Sequence, residues 1–177
     1  MLNELFLNRQ SCRNFDGDRK VEKEKLERIM ENVRLAPSAC NSQPYSFIVV
    51  TQPELADKVG RQTQGLGMNK HCKNVHCFIV VCEENANLLS RTAGRVKDQQ
   101  FAGIDIGLAV SQMILSAEEQ GLSTCMLGWF DENKVKELLD INKAKRVRLI
   151  VAVGYASSED KIRPKKRKNI EELVVYK

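Results

Sequence analysis

Arg9-Gln10-Ser11-Cys12-Arg13 puts two guanidinium groups and a hydroxyl within five residues. On a turn or extended segment Arg9, Ser11 and Arg13 share a face, because alternate side chains point the same way. Guanidinium forks give bidentate donors to phosphate oxygens, and a serine adds a neutral one. Three solvated polar residues after a short helix would use the same letters. A second segment, Pro37-Ser38-Ala39-Cys40-Asn41-Ser42-Gln43-Pro44, is too polar for a core. Ser38, Asn41 and Gln43 can hydrogen-bond the edge of a heteroaromatic ring, and Pro37 and Ala39 can lie against its face. A plain helix-to-strand turn draws on the same residue types for backbone reasons, and both readings can hold together. A third segment, Lys161 to Lys168, holds six basic residues and no acid.

Other reactive residues point to less. His71, Cys72, His76, Cys77 and Cys82 suggest metal ligands, but no Cys-x-x-Cys pair is present and Cys77 and Cys82 fall on opposite faces of one strand. They read as strand core and loop histidines. Cys12 and Cys40 lie inside the two polar motifs and read as small packing residues. Asp105, in an apolar helical stretch, reads as a structural hydrogen-bonder. Gly65-Leu66-Gly67 lacks the third glycine and the preceding strand of a dinucleotide fingerprint. No Ser/His/Asp or Cys/His constellation suggests side-chain nucleophilic catalysis.

These motifs need elements to hold them. Periodicity predicts a short helix over Leu2–Asn8 and a stronger one over Val21–Leu35, with Leu26, Ile29, Met30 and Val33 at helical spacing and Pro37 forbidding continuation. Tyr45–Thr51, Cys77–Cys82, Ser123–Phe130 and Arg146–Tyr155 read as strands, with Glu172–Tyr176 as a last one. Pro53 suits the first turn of a helix to about Gly60. Glu83–Lys97 is polar and reads as a loop with a short helix. Asp98–Gln120 is apolar in most directions around a helix, which predicts a buried central helix, closed by Gly121 as a left-handed cap. Asp131 is a good N-cap for the helix carrying Val135, Leu138 and Leu139. The expected fold is α+β, a single domain over 1–177 with helices packed on a four- to five-stranded mixed sheet.

Composition bounds the rest. Hydrophobic residues are 42% and charged residues 29%, as in a globular protein rather than a disordered one. No uninterrupted apolar run approaches the roughly 18 to 20 residues that span a bilayer, and Met1-Leu2-Asn3-Glu4-Leu5 does not read as a signal peptide. Cytoplasmic residence and reduced thiols are expected. The formal net charge is +5, and setting aside the six basic residues of 161–168 leaves −1. The excess is therefore local. A tail that contacts nucleic acid or an anionic surface is one use for it, although the chain shows no basic helix and only 6% aromatics for base stacking.

In this order and at this distance from the N-terminus, the segments resemble the FMN-dependent nitroreductase family. Two further stretches add to the likeness: Gly121 to Phe130 after the central helix, and Lys165 to Val174 near the C-terminus. The resemblance implies tightly bound FMN. Its phosphate would be met by Arg9, Ser11, Lys165 and Arg167, its N1/O2 edge by Arg13, and Gln10 would be cofactor-binding as part of the same motif. A loop of Pro37, Ser38, Ala39, Asn41 and Gln43 would come from the partner subunit. Asn69 would serve the pyrimidine, and the amides of Gly128 and Trp129 would face N5 and O4. It further implies a homodimer with an exchanged C-terminal tail, NAD(P)H as a transient donor, and ping-pong hydride transfer to a nitroaromatic, quinone or similar acceptor, with no nucleic-acid or membrane partner. Enone reduction or dehalogenation are other chemistries of the same superfamily. Two features depart from the pattern. The stretch Glu83–Lys97 is short where larger members insert helices, and Tyr45 stands where many have Trp.

Overall fold

The computed structural model describes residues 2–177. Its centre is an antiparallel sheet of β1 (Tyr45–Val50), β2 (Cys77–Glu83), β3 (Ser123–Leu127) and β4 (Arg146–Gly154), in the order β1-β2-β4-β3. Register runs from Tyr45↔Glu83 to Val50↔Phe78, from Cys77↔Val153 across β2 and β4, and from Ser123↔Gly154 across β3 and β4. A shift between Val81 and Cys82 marks a bulge. Every strand pairing is antiparallel, so the expected mixture reduces to one parallel bridge, Ser11↔Thr124. The helical connections bring each strand back beside its neighbour in the opposite sense.

The period of two along β2 builds two cores. Cys77, Ile79 and Val81 face one side, and Phe78, Val80 and Cys82 face the other. The first side packs on α2 (Lys23–Arg34) through Leu26, Ile29 and Val33, and on α5 (Phe101–Glu119) through Ile106, Val110, Met113 and Ala117. The second packs on α3 (Pro53–Gln62) and α6 (Glu132–Leu138) through Ala56, Val59 and Val135. Pro53 sits in the first turn of α3, and the Asp131 side chain caps α6 by accepting from the Lys134 N–H at 3.1 Å.

Three expectations change. The stretch after β2 forms a full ten-residue helix, α4 (Leu88–Lys97), because the Asn87 side chain accepts from the Ser90 N–H at 2.8 Å and caps it. The expected strand at Glu172–Tyr176 is instead one helical turn, α7 (Ile170–Leu173). There the Glu172 carboxylate accepts from the Asn169 N–H at 3.0 Å, which favours a turn over extended chain. Finally, α5 is not buried all round. One face is sealed against the sheet, but Ile104 and Leu108 are 54% and 43% exposed. Beside α5 lies α1 (Leu2–Asn8), none of whose residues is buried and whose Leu2, Phe6 and Leu7 stand open. The apolar periodicity of α5 thus records two faces, only one of which this chain covers. By length and composition alone α5 could cross a membrane, but it carries buried Asp105 and packs on the sheet.

α5 ends where Gly121 takes φ +72°. The Leu122 N–H reaches the Ala117 carbonyl at 2.9 Å and the Gly121 N–H reaches Glu118 at 3.0 Å, a Schellman closure. A Cβ at Gly121 meets nothing within 4 Å, so the constraint is conformational. Gly121→Ala is expected to cost about 1 kcal/mol, a fall of roughly 2–4 °C in melting temperature by calorimetry.

Candidate flavin site

The N-terminal motif and the basic segment meet. Ser11 bridges Thr124 of β3, and the Cys12 N–H donates to the Thr124 carbonyl at 2.9 Å, fixing the motif on the sheet edge. The Gln10 amide then clamps the chain after β4. Its Nε2 donates to the Asp160 and Lys161 carbonyls, and its Oε1 accepts the Arg163 N–H at 3.0 Å. Asp160, almost wholly buried, accepts from the Arg163 guanidinium at 2.8 Å and from the Arg13 N–H. Arg163 also donates to the Ser11 carbonyl, and Lys165 Nζ to the Arg9 carbonyl at 2.6 Å.

This folding-back crowds positive charge. The Lys165 ammonium lies below its ordinary range, first through desolvation and then through repulsion by Arg9, Arg167 and Arg163. Among the described residues no carboxylate pairs with Arg9, Arg13, Lys165 or Arg167. Glu118, which senses Arg9 and Lys165, is itself shifted upward by burial. A dianionic phosphate fits such a cluster, because it supplies the charge that the chain withholds.

The far end of β3 carries the other groups. Thr124 and Gly128 are about 13 Å apart along an extended strand. Gly128 and Trp129 are exposed, and the Trp129 indole donates to the Gly65 carbonyl at 3.0 Å. Asn69, at φ +52°, donates through Nδ2 to the Thr63 and Trp129 carbonyls at 3.0 and 3.2 Å, which leaves Oδ1 as a free acceptor. Between the two ends lie Arg13 and His71. The His71 Nε2 is 3.4 Å from Cys125 Sγ, and burial together with Arg13 holds its pKa below the usual value. Burial pushes the Cys12 and Cys72 thiols up to about 12. Neither is a thiolate at neutral pH. Among the described residues no three His, Cys, Asp or Glu side chains converge as a metal centre requires.

The Pro37–Gln43 loop stands elsewhere. Cys40, Asn41 and Gln43 all have positive φ, which non-glycine residues adopt at a cost. The strain is held by several ties. The Ser38 Oγ accepts the Gln43 N–H at 3.0 Å, Asn41 Oδ1 accepts from Gln43 Nε2 at 3.0 Å, and Asn87 reaches the Cys40 carbonyl and Ser42 Oγ. The anchor in the core is Asp105 of α5, 2% exposed, whose Oδ1 accepts the Ala39 N–H at 3.0 Å. Along α5, Asp105 and Glu118 are about 20 Å apart. The loop is tied at the first and the cation cluster lies by the second, so one chain does not bring its own two motifs together. Asp105 is the structural hydrogen-bonder its sequence setting suggests, although the loop as its partner is not legible there. Sequence reading missed Asp160 as the clamp's centre and the place of His71 beside Cys125. Asp160 directly precedes the basic run and was the available signal; His71 had none.

Comparisons with known proteins bear on the family and the fold. The Nitroreductase family model matches residues 7–155. An oxygen-insensitive NADPH nitroreductase of Helicobacter pylori strain J99 is 28% identical, with 93% of this chain and 92% of that protein covered. Among solved structures, a nitroreductase family protein from Clostridium novyi NT superposes with a TM-score of 0.77 at 27% identity, over 91% of this chain and 88% of that one. An FMN-dependent nitroreductase of Clostridium difficile R20291 does so with a TM-score of 0.72 at 26% identity, over 90% of each. The chain belongs to the nitroreductase family.

Two outcomes are expected. Asp105→Ala leaves the Ala39 N–H unpaired and costs about 1–3 kcal/mol, while Asp105→Asn, which keeps an acceptor, costs less; chemical denaturation measures both. His71 is held neutral in the fold, so stability drawn from it is present above its unfolded pKa of about 6.5 and declines as pH falls below that value. An NMR titration should find its folded pKa below 6.5; a midpoint at or above that value contradicts the arrangement.

Proposed function

We propose that this chain is an FMN-dependent oxidoreductase that takes hydride from NAD(P)H and passes it to a nitroaromatic, quinone or similar small acceptor. The observation that carries the reading is the convergence of Arg9, Lys165 and Arg167, none of them in an ion pair among the described residues, on a motif seated against β3. When bound, FMN supplies hydride acceptance and donation at its N5. The chain supplies the rest. Arg9, Ser11, Lys165 and Arg167 hold the phosphate, with Gln10 spent on fixing the basic segment in place. Arg13 stands as a cation for the ring's N1/O2 edge, where reduction builds negative charge. The amides of Gly128 and Trp129 would serve N5 and O4, and the Asn69 Oδ1 would serve the pyrimidine. Donor and acceptor use one pocket in turn, which makes the kinetics ping-pong. Buried, protonated thiols leave no cysteine nucleophile to compete with the flavin at the cluster.

The working unit in this reading is a homodimer in the cytoplasm. Ile104 and Leu108 on α5, and Leu2, Phe6 and Leu7 on the neighbouring α1, are open apolar positions that a second copy would cover. The loop of Pro37, Ser38, Ala39, Asn41 and Gln43, far from its own chain's cations, would then complete the partner's site. Leu173, Val175 and Tyr176 are also exposed, as a tail that crosses to a partner would be in a single chain. The basic segment is folded onto Arg9 and Ser11, which favours the phosphate role over a free nucleic-acid tail.

Purified protein is expected to be yellow, to bleach anaerobically with NADH or NADPH, and to sediment as a dimer at micromolar concentration. Arg9→Ala with Arg167→Ala should lower flavin content at least tenfold, two charge-assisted contacts being lost, while Cys77→Ser retains it. Equal flavin in both proteins would sink the phosphate assignment.

A further inference from the structure

A groove lies under α4, away from the cation cluster. It is an open groove of about 750 Å³ between α4, the turn at Asp98 to Gln100, the first residues of α5, and β2 and β4. Its charged lining is uneven in commitment. Glu83 is paired with Arg148, and Glu84 with Lys145 at 2.6 Å and Ser46 at 2.5 Å. Arg91 and Arg95 both line the groove, yet no carboxylate pairs with either among the described residues. They lie one helical turn apart, a spacing at which like charges repel and weaken the helix unless an anion stands between them. Asp98 at the rim is the lining acid without an ion pair among the described residues. With Glu84 answered from outside the groove by Lys145, Arg91 and Arg95 against Asp98 leave one positive charge there. The Ser90 Oγ, buried in the wall, has no partner. Beside these groups the Phe101 ring is half-buried, packed at 3.5 Å from where a Cβ on Gly94 would stand. The groove thus offers an aromatic surface and a double guanidinium side by side.

Its position adds meaning. Asn87 caps α4 and also bonds the Cys40 carbonyl and Ser42 Oγ, so the groove is hinged to the Pro37–Gln43 loop. If that loop reaches the partner's flavin, as the proposed function holds, the groove stands beside the partner's active site.

We infer that this groove takes the adenosine phosphate end of the pyridine nucleotide donor, with Arg91 and Arg95 on its 2′-phosphate and Phe101 against the adenine. Phosphate recognition of this kind distinguishes NADPH from NADH, because only the former carries the dianion the two arginines lack. The assignment rests on the proposed flavin chemistry for its biological use but not for its physical test.

The test uses flavin-loaded protein and the double variant Arg91→Ala with Arg95→Ala, two exposed helix positions. Calorimetric titration with 2′,5′-ADP reads the groove directly, and steady-state kinetics with NADPH and NADH read its use. Binding of 2′,5′-ADP should weaken at least tenfold in the variant, and the KM for NADPH should rise by a similar factor. Flavin content, kcat and the KM for NADH should stay unchanged. No 2′,5′-ADP binding by the unmodified protein, or equal binding by the variant, overturns the inference. So does a variant whose altered KM is that of the acceptor. Inorganic phosphate binding as tightly as 2′,5′-ADP would also overturn it, reducing the groove to a plain anion site. Should neither nucleotide reduce the flavin, the proposed function fails, while the titration still decides whether the groove holds a nucleotide phosphate.

Discussion

Positive charges that repel each other are held together at one end of β3, and much of the molecule is arranged to make that possible. Arg9, Arg163, Lys165 and Arg167 come from opposite ends of the chain. Their meeting depends on the Gln10 amide and the buried Asp160 carboxylate, which tie the N-terminal motif to the segment after β4. That tie in turn depends on the bridge from Ser11 to Thr124. Asp160 pairs with Arg163. Among the described residues no ion pair forms to Arg9, Lys165 or Arg167, and Glu118 is the acid that stands nearest Arg9 and Lys165. The fold invests order in a cluster that only an anion relaxes. An anion bound there would also contribute to stability, since a ligand that prefers the folded state shifts the equilibrium toward it.

The sheet explains how a small domain can afford this. β2 is buried on both faces, with Phe78, Ile79, Val80 and Val81 shielded from solvent. Helices α2 and α5 close one side, and α3 and α6 the other. Such a two-sided core is rigid because its interior is close-packed, so strained features can be attached at its edges. The three positive-φ residues of the Pro37–Gln43 loop are one such feature, fixed to α5 through Asp105.

Much of this arrangement is legible in the amino-acid order because local physics and global fold agree. Alternation in Cys77–Cys82, the prolines at 37 and 53, the glycine at 121 and the cap at Asp131 each have one physical reading, and each is realised. The misreadings have physical causes too. α4 rests on an Asn87 cap inside a polar stretch, where hydrophobic period is weak. The tail's apolar residues favour a strand by type, but the Asn169–Glu172 bond turns them into a helix. α5 looked fully buried because periodicity counts apolar faces without saying which chain covers them. Of the site, the motifs that bear charge or amides stood out. Asp160 did not, and Asp105 and His71 showed only as a structural hydrogen-bonder and a loop histidine, because each acts through a neighbour brought close only by the tertiary fold.

The length of α5 has a further consequence. If the loop anchored at Asp105 serves one flavin and the cations near Glu118 serve another, every site is a joint product of two chains. A subunit crippled in its cations still lends a sound loop, and one crippled in its loop still lends sound cations. Mixed together, two such inactive chains would assemble one complete site out of every hybrid pair. Inheritance of damage in this protein would then follow the pairing of subunits rather than the fate of any one of them.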